Sequence, residues 1–404
     1  MDKYKVLNEY FNYEEFRGNQ AEIIDSLLSN NDTIAILATG GGKSLCFQIP
    51  AIIKDGLTIV ITPLISLMHN QVEELKKRKI TAEFITGEMV NFEILKVFER
   101  LKKEEIKLLY ISPERLENIS FIRVLTRLNV SYLIVDEAHC ISMWGNDFRP
   151  SYKLINSFIN EFKIRPTVGA FTATANKKVL DDVIKIIGIK DYNIYRNGFD
   201  RPNLFYSVFK PKNKFDFLVK YLLKNSGEAT IIYTLTKKDC EQVYSKLLKL
   251  NFKVGLYHGK MDSELKVKWL KKFMCDEINI MVATNAFGMG INKPNIRHVI
   301  NYAIPLSIED LSQQSGRCSR DGMDGSCILL FNEADIKSCE YFIKKTKGEN
   351  KEITKQLIKY KYKQLKSVID YATTKKCLHH FILDYFHEMS KNRCFMCCNC
   401  QKRK

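Results

Sequence analysis

The amino-acid sequence predicts an α/β fold: two tandem domains with parallel sheets, followed by a small helical module. Three features point there. Short apolar runs alternate with helical stretches from Thr33 to about Asn203, a second series of the same kind ends near Glu333, and beyond about Glu340 the strand pattern stops while lysines and cysteines accumulate. Alternation of strands and helices signals a parallel sheet with helices on both faces. With 404 residues, 45% of them hydrophobic, the chain can bury two or three cores of ordinary size.

The runs of the first series are "TIAIL", "LTIVITP", "AEFI", "KLLYI", "YLIVD" and "TVGAFT". Those of the second are "LFYSVF", "ATIIYT", "KVGLYH", "INIMVAT", "HVINYA" and "GSCILLF". Between them "GFDRPN", Gly198 to Asn203, interrupts both periodicities with Gly, Pro and Asn. In the last part "KQLIKYKYKQLKSVIDYA" has apolar residues at helical spacing. The expected division is therefore residues 1–203, 204–339 and 340–404.

Composition narrows the function classes. No run approaches the roughly 18 apolar residues of a membrane span, and the start "MDKYKVLNEYF" has neither the apolar core nor the cleavage site of a signal peptide. A cytoplasmic protein is expected, nucleoid-associated if bacterial. Of the 12 cysteines, Cys46, Cys140, Cys240, Cys275, Cys318, Cys327 and Cys339 are scattered singly and read as small buried hydrophobes. The other five crowd into Cys377 to Cys400, which suits a metal in a reducing compartment better than a disulfide framework. The net charge is +17, and residues 341–404 hold sixteen Lys and Arg against five Asp and Glu, so +11 of it lies there. Such asymmetry points to a polyanion, most often nucleic acid.

The chemistry begins with "TGGGKS", Thr39 to Ser44, between the run "TIAIL" and the helical "LCFQIPAII". Thr39, Gly40, Gly41 and Gly42 would let backbone N–H groups converge on phosphate oxygens at a helix N-terminus, with Lys43 on the β and γ phosphates and Ser44 on Mg²⁺. Leu37 stands where the usual pattern has its first glycine. Next, "YLIVDEAH" ends a strand at Asp136 and Glu137. The first acid can hold Mg²⁺ and the second can orient and activate an attacking water. The turn "TATA", Thr172 to Ala175, suits a hydrogen-bonded relay. In the second domain "QQSGRCSRDG" sets Arg317 and Arg320 three apart, where they could stabilise transferred phosphoryl charge.

In this order the motifs carry a resemblance. The chain resembles the RecQ DNA helicases of the DEAH-containing superfamily 2 over nearly its whole length, through "LNEYFNYEEFRGNQ", "TGGGKSLCFQIP", "TPLISLMHNQV", "DEAHCISMWGNDFRPSY", "FTATA", "FDRPN", "VATNAFGMGINKP" and "QQSGRCSRDG". The resemblance implies two RecA-like domains, with ATP bound between them. It implies that Tyr13 stacks on adenine, that Arg17 and Gln20 contact the base, and that Gln313 belongs to the nucleotide site. His139, Trp144, Phe148 and Arg149 would couple single-strand binding to hydrolysis, and Trp144, Phe148 and Arg149 independently offer stacking and cation-π surfaces. Of the two arginines, Arg320 is preferred as the finger. Met143 and Asn146 replace the family's usual glutamine and histidine in the aromatic-rich loop; Cys318 and Ser319 replace an alanine and a glycine.

The family also carries a zinc module, with one cysteine at a helix start and three more in C-x-x-C-x-x-C spacing. Here Cys377, Cys394, Cys397 and Cys400 match. Four thiolates suit structural, tetrahedral Zn²⁺. Cys398 could replace Cys397 in another register, and His379, His380 and His387 are lesser competitors. The resemblance implies a minimal form, without winged-helix and HRDC domains, in which ATP, Mg²⁺ and Zn²⁺ are the cofactors. The implied activity is ATP-driven 3′ to 5′ translocation on single-stranded DNA with duplex unwinding, in repair, recombination or replication. The alternative is a DNA-stimulated ATPase that anneals or clamps strands. Single-stranded and partially duplex DNA are the expected partners, a single-strand-binding protein or topoisomerase the candidate protein partners, no membrane is involved, and a monomer is expected.

Overall fold

The computed structural model describes residues 2–63, 65–87, 89–145, 148–173, 176–197, 199–287, 293–388 and 394–401. Asn146, Thr174 and Ala175 of the "TATA" turn, Gly198 at the junction and residues 288–292 of "VATNAFGMGINKP" lie outside them. The chain divides into two compact units, Met1–Gly198 and Phe199–Lys404.

The first unit contains β1 (Asp32–Leu37), β2 (Leu57–Ile61), β3 (Ala82–Ile85), β4 (Leu108–Ile111), β5 (Val130–Val135), β6 (Thr167–Thr172) and β7 (Tyr192–Asn197). They form one parallel sheet in the order β3-β4-β2-β5-β6-β1-β7. Strands β1, β2, β4 and β6 are buried along their length, as a sheet covered on both faces requires, which is why they read as unbroken apolar runs. The expected runs do not include β7. Its sequence "YNIYRN" is polar and mostly exposed, and the ladder to β1, not side-chain burial, defines it. Asp32 fastens the start of β1: its carboxylate accepts from Arg165 at 2.6 and 3.0 Å and from the backbone N–H groups of Val168 at 2.9 Å and Lys190 at 3.0 Å. A buried carboxylate with that many donors is satisfied and structural.

The second unit contains β8 (Leu204–Phe209), β9 (Ala229–Tyr233), β10 (Val254–Tyr257), β11 (Ile280–Ala283), β12 (Ile296–Asn301) and β13 (Gly325–Leu330). These make a parallel sheet in the order β10-β11-β9-β12-β13-β8. The helix Lys351–Thr373 starts at Asn350, whose side chain caps it by accepting from the Ile353 N–H at 2.8 Å. It buries Leu357, Leu365, Val368 and Tyr371. Leu365, Val368 and Tyr371 share one core with Tyr206, Cys327, Cys377, Cys397 and Cys400. The cysteine segment also extends the sheet beyond β8: the Tyr206 N–H donates to the Met396 carbonyl at 3.1 Å, and Tyr206 bridges Cys397 in parallel. The C-terminal helices and the second sheet are thus packed as one body.

Six of the singly scattered cysteines are buried, but Cys275 is exposed, against the expectation of a small buried hydrophobe. It occupies the C-cap of the helix Ser263–Met274, a terminal position that the buried face does not reach. Among the described residues no helix is long and apolar enough to cross a membrane.

Candidate active site and metal centre

In the first sheet β5, β6 and β1 are successive neighbours, so the loops at their carboxyl ends share one rim, the place where open parallel sheets bind ligands. The loop after β1 runs through Thr39 to Gly42 into the helix Lys43–Ile53. Gly42 has φ of +75°, and a Cβ there would lie 2.3 Å from Gln20 Nε2. Both facts require glycine. Gln20 Nε2 donates to the Gly41 carbonyl at 3.0 Å, while Gln20 Oε1 accepts from the Arg17 N–H at 2.9 Å. The segment carrying Arg17 and Gln20 is thereby tied to the glycine loop. Thr39, Lys43 and Ser44 are half-buried, Gly40 is exposed, and Tyr13 is 50% exposed on the same unit.

After β5, Asp136 is buried. Its carboxylate accepts from the Glu137 N–H at 2.9 Å and from Thr62 Oγ1 at 3.5 Å, and its carbonyl accepts from Tyr152 Oη at 3.0 Å. Burial first, and the Glu137 charge second, push its pKa up to about 7, with Lys43 pulling the other way. Burial of a carboxylate is offset by a bound cation, so this placement suits one. Glu137 has left-handed backbone, φ 48° and ψ 46°, uncommon for a residue other than glycine. Its carboxylate lies 3.9 Å from Lys43 Nζ and 3.4 Å from His139 Nδ1. His139 Nδ1 is in turn 2.9 Å from Thr172 Oγ1. The chain of contacts Lys43, Glu137, His139, Thr172 therefore joins the ends of β1, β5 and β6.

The aromatic segment begins directly behind His139. A Cβ on Gly145 would lie 2.2 Å from the His139 carbonyl oxygen, so the segment is folded tightly against the acidic turn. The Trp144 N–H donates to Ser142 Oγ at 3.1 Å, and Lys178 Nζ sits 4.3 Å from the Trp144 ring centroid. Lys153 Nζ is 5.5 Å from the Phe148 ring, and Arg149 pairs with Glu114 at 3.0 Å.

In the second unit the helix Ile308–Ser315 leads into a turn with Arg317 buried and Arg320 half-buried. Burial and the adjacent Arg317 and Arg201 charges depress the Arg320 pKa to about 9. Gln313 is half-buried, whereas Gln314 is buried and bridges Asn285 and Asn301 through both ends of its amide.

The sulfurs of Cys377, Cys394, Cys397 and Cys400 all lie within 4.8 Å of one another. A Zn–S distance of about 2.3 Å in a tetrahedron separates sulfurs by about 3.8 Å, so the cluster fits zinc. Cys377 caps the helix Leu378–Tyr385, its sulfur accepting from the His380 N–H, and Asn399 Nδ2 donates to the carbonyls of Thr374 and Lys376 at 2.9 and 2.8 Å. Cys398 lies outside the cluster, its sulfur 3.5 Å from Asn399 Oδ1.

Comparison with known proteins agrees with this arrangement. The DEAD/DEAH box helicase family matches residues 17–183, the helicase conserved C-terminal domain residues 213–322, and the RecQ zinc-binding family residues 333–401. The ATP-dependent DNA helicase RecQ of Bacillus subtilis (strain 168) is 42% identical over 98% of this chain and 66% of its own length. The chain belongs to the RecQ helicase family. It spans just under two thirds of that RecQ relative. A putative ATP-dependent RNA helicase, R290, of Acanthamoeba polyphaga mimivirus is 36% identical over 98% of this chain and 71% of the relative. The structure of S. cerevisiae Dbp5 bound to RNA and ADP BeF3 superimposes with a TM-score of 0.68 at 17% identity, covering 90% of this chain and 97% of Dbp5, a likeness of fold.

Within this RecQ chain the structure gathers Lys43, Asp136, Glu137, His139 and Gln20 around one rim, and the four cysteines around one point. Arg317, Arg320 and Gln313 belong to the other unit. Sequence reasoning missed Thr62, Tyr152, Gln314 and Arg201. All four lie inside the quoted family motifs, which is a usable signal; what each touches, such as Tyr152 on the Asp136 carbonyl, is set only by the folded chain.

Proposed function

We propose that this RecQ chain is an ATP-dependent DNA helicase that moves 3′ to 5′ on single-stranded DNA and separates duplex strands. The observation that carries the nucleotide half of this reading is the joining of Lys43, Glu137, His139 and Thr172 beside the buried carboxylate of Asp136. Lys43 neutralises charge on the β and γ phosphates, with Thr39 to Gly42 donating backbone N–H groups to them. Tyr13, Arg17 and Gln20 bind the base. Ser44 and Asp136 would hold Mg²⁺, which when bound draws charge from the phosphate oxygens. Glu137, held between Lys43 and His139, orients the attacking water and takes its proton. Arg317 and Arg320 stabilise charge on the transferred phosphoryl group, with Gln313 beside them.

Trp144, Phe148 and Arg149 contact single-stranded DNA, and their attachment to His139 through Gly145 supports a coupling of DNA binding to hydrolysis. Lys351, Lys355, Lys359, Lys363 and Lys366 are exposed or half-buried along one helix and supply a sequence-independent grip on phosphates. Cys377, Cys394, Cys397 and Cys400 would hold structural zinc. Functionally, residues 1–203 are the nucleotide-binding domain, 204–339 the second RecA-like domain and 340–404 the zinc module. Its thiol set suits the reducing cytoplasm.

The test is strand separation of a 3′-tailed DNA duplex by zinc-loaded protein with ATP and Mg²⁺, beside Lys43→Ala, a 5′-tailed duplex and a 3′-tailed RNA duplex. Separation confined to the 3′-tailed DNA and abolished in Lys43→Ala is the expected result. DNA-stimulated hydrolysis without separation would replace the helicase by an annealing or clamping ATPase; preference for the RNA duplex would overturn the substrate.

A further inference from the structure

The segment Phe199 to Asn203 follows the first sheet and is held on one side by the zinc module. The Phe199 ring stacks on Phe386 with centroids 4.0 Å apart, and the Phe199 N–H donates to Glu388 Oε2 at 3.1 Å. Asp200 lies 3.1 Å from His379 Nε2, and the Arg201 N–H reaches the same nitrogen at 3.4 Å. On its other side the segment grips the arginine turn. Arg201 Nη2 donates to the carbonyls of Cys318 at 2.9 Å and Ser319 at 3.0 Å, and Nη1 reaches the Gly316 carbonyl at 3.5 Å. Asn203 Nδ2 adds bonds to the carbonyls of Ser319 at 3.2 Å and Met323 at 2.7 Å.

We infer that Arg201 is a positioning residue: it anchors the turn bearing Arg317 and Arg320 to the zinc module, and so sets where those two arginines present their charge. This rests on the proposed role of Arg317 and Arg320 in phosphoryl transfer. The turn needs such an anchor. Ser319 sits at φ +44°, a strained conformation for a residue with a side chain, which persists only where the surroundings over-determine it. From the opposite side Arg297 Nη1 donates to Ser319 Oγ at 2.9 Å, and the Ser319 N–H donates to the Ile296 carbonyl at 2.7 Å. Arg201, Asn203 and Arg297 thus all hold the turn, and Arg201 is the one whose own backbone N–H also reaches His379 of the zinc module. A rigid planar fork spans carbonyls three residues apart, which a single ammonium does not reproduce, so lysine is not a conservative replacement. The Arg201 charge also adds to those of Arg317 and Arg320, enlarging a cationic cluster that an anion would relieve.

The experiment compares DNA-stimulated ATP hydrolysis by the full zinc-loaded chain with Arg201→Lys, Arg201→Gln, Arg320→Gln and the double variant Arg201→Gln/Arg320→Gln, recording zinc content and melting temperature for each. The expected result is a fall in kcat of about tenfold or more for Arg201→Gln and a smaller fall for Arg201→Lys. The KM for ATP changes by less than about twofold and zinc content stays at the wild-type level. Arg201→Gln adds little in the Arg320→Gln background, because the first acts through the second. Unchanged kcat in both Arg201 single variants, a loss that tracks zinc content in both of them, or effects that multiply in the double variant would each overturn the inference. If Arg201→Gln loses zinc, Arg201→Lys decides by the same criteria. Absence of hydrolysis in the wild-type chain would overturn the proposed function itself, and this inference with it.

Discussion

Glu309 shows how one side chain can report on the seam between the arginine helix and the C-terminal module. It is buried in the helix Ile308–Ser315 and accepts a hydrogen bond from Tyr385 Oη at 2.9 Å. Burial pushes its carboxyl above the ordinary carboxylate range. The folded chain therefore holds this proton more tightly than the unfolded chain. Its contribution to stability is fully present below the unfolded pKa and is lost as pH rises through the folded one. Glu309→Gln keeps an acceptor for Tyr385 and removes the charge. Its melting temperature should exceed that of wild type at about pH 8, with the gain shrinking toward zero at about pH 4. A gain that is independent of pH, or a loss at about pH 8, would show that ionised Glu309 is not the strained species. No periodicity announces this contact, since Glu309 and Tyr385 are 76 positions apart. By contrast Gly42 was legible from "GGGKS" alone, because a phosphate-cradling turn needs a residue without Cβ at that place.

At the scale of elements, the cysteine segment behaves as an extra edge of the second sheet. Cys397 sits beside Tyr206 of β8, and Cys377, Cys397 and Cys400 enter the core that Leu365, Val368 and Tyr371 line. Removing the metal should loosen that edge as well as the ligands themselves. Cys400→Ser is expected to lose bound zinc and to lower the melting temperature by about 10 °C or more, as loss of several kcal/mol would. Cys398→Ser should keep full zinc content and melt within about 1 °C of wild type, because its sulfur stands outside the cluster. Zinc content by metal analysis and melting by calorimetry check both. In "CFMCCNC" the C-x-x-C-x-x-C spacing favours Cys397, with Cys398 as the other register. Backbone pairing with β8 separates them, since it fixes which of the adjacent sulfurs faces inward.

For the whole molecule, the charge of +17 bears on the proposed grip on nucleic acid. Binding to single-stranded DNA should weaken steeply with salt, log K falling by about 0.7 per tenfold rise in salt for each neutralised phosphate. Replacing Lys355 and Lys359 with Gln should flatten that slope by about 0.7 for each phosphate that is no longer neutralised, equally for unrelated sequences. A fluorescence-anisotropy titration across salt measures it; an unchanged slope would assign those lysines to solvation alone.

The sequence by itself determined the fold class, the strands buried on both faces, the glycine loop, the acidic pair and the family, because each is a local pattern: apolar runs, a turn that only glycine fits, acids at a strand end. Tertiary structure decided the rest. β7 exists through its ladder to β1, Cys275 is exposed because a helix ends there, and Arg201 meets carbonyls more than a hundred residues away. Those features are set by backbone hydrogen bonds and by what packs alongside, and one-dimensional spacing carries neither.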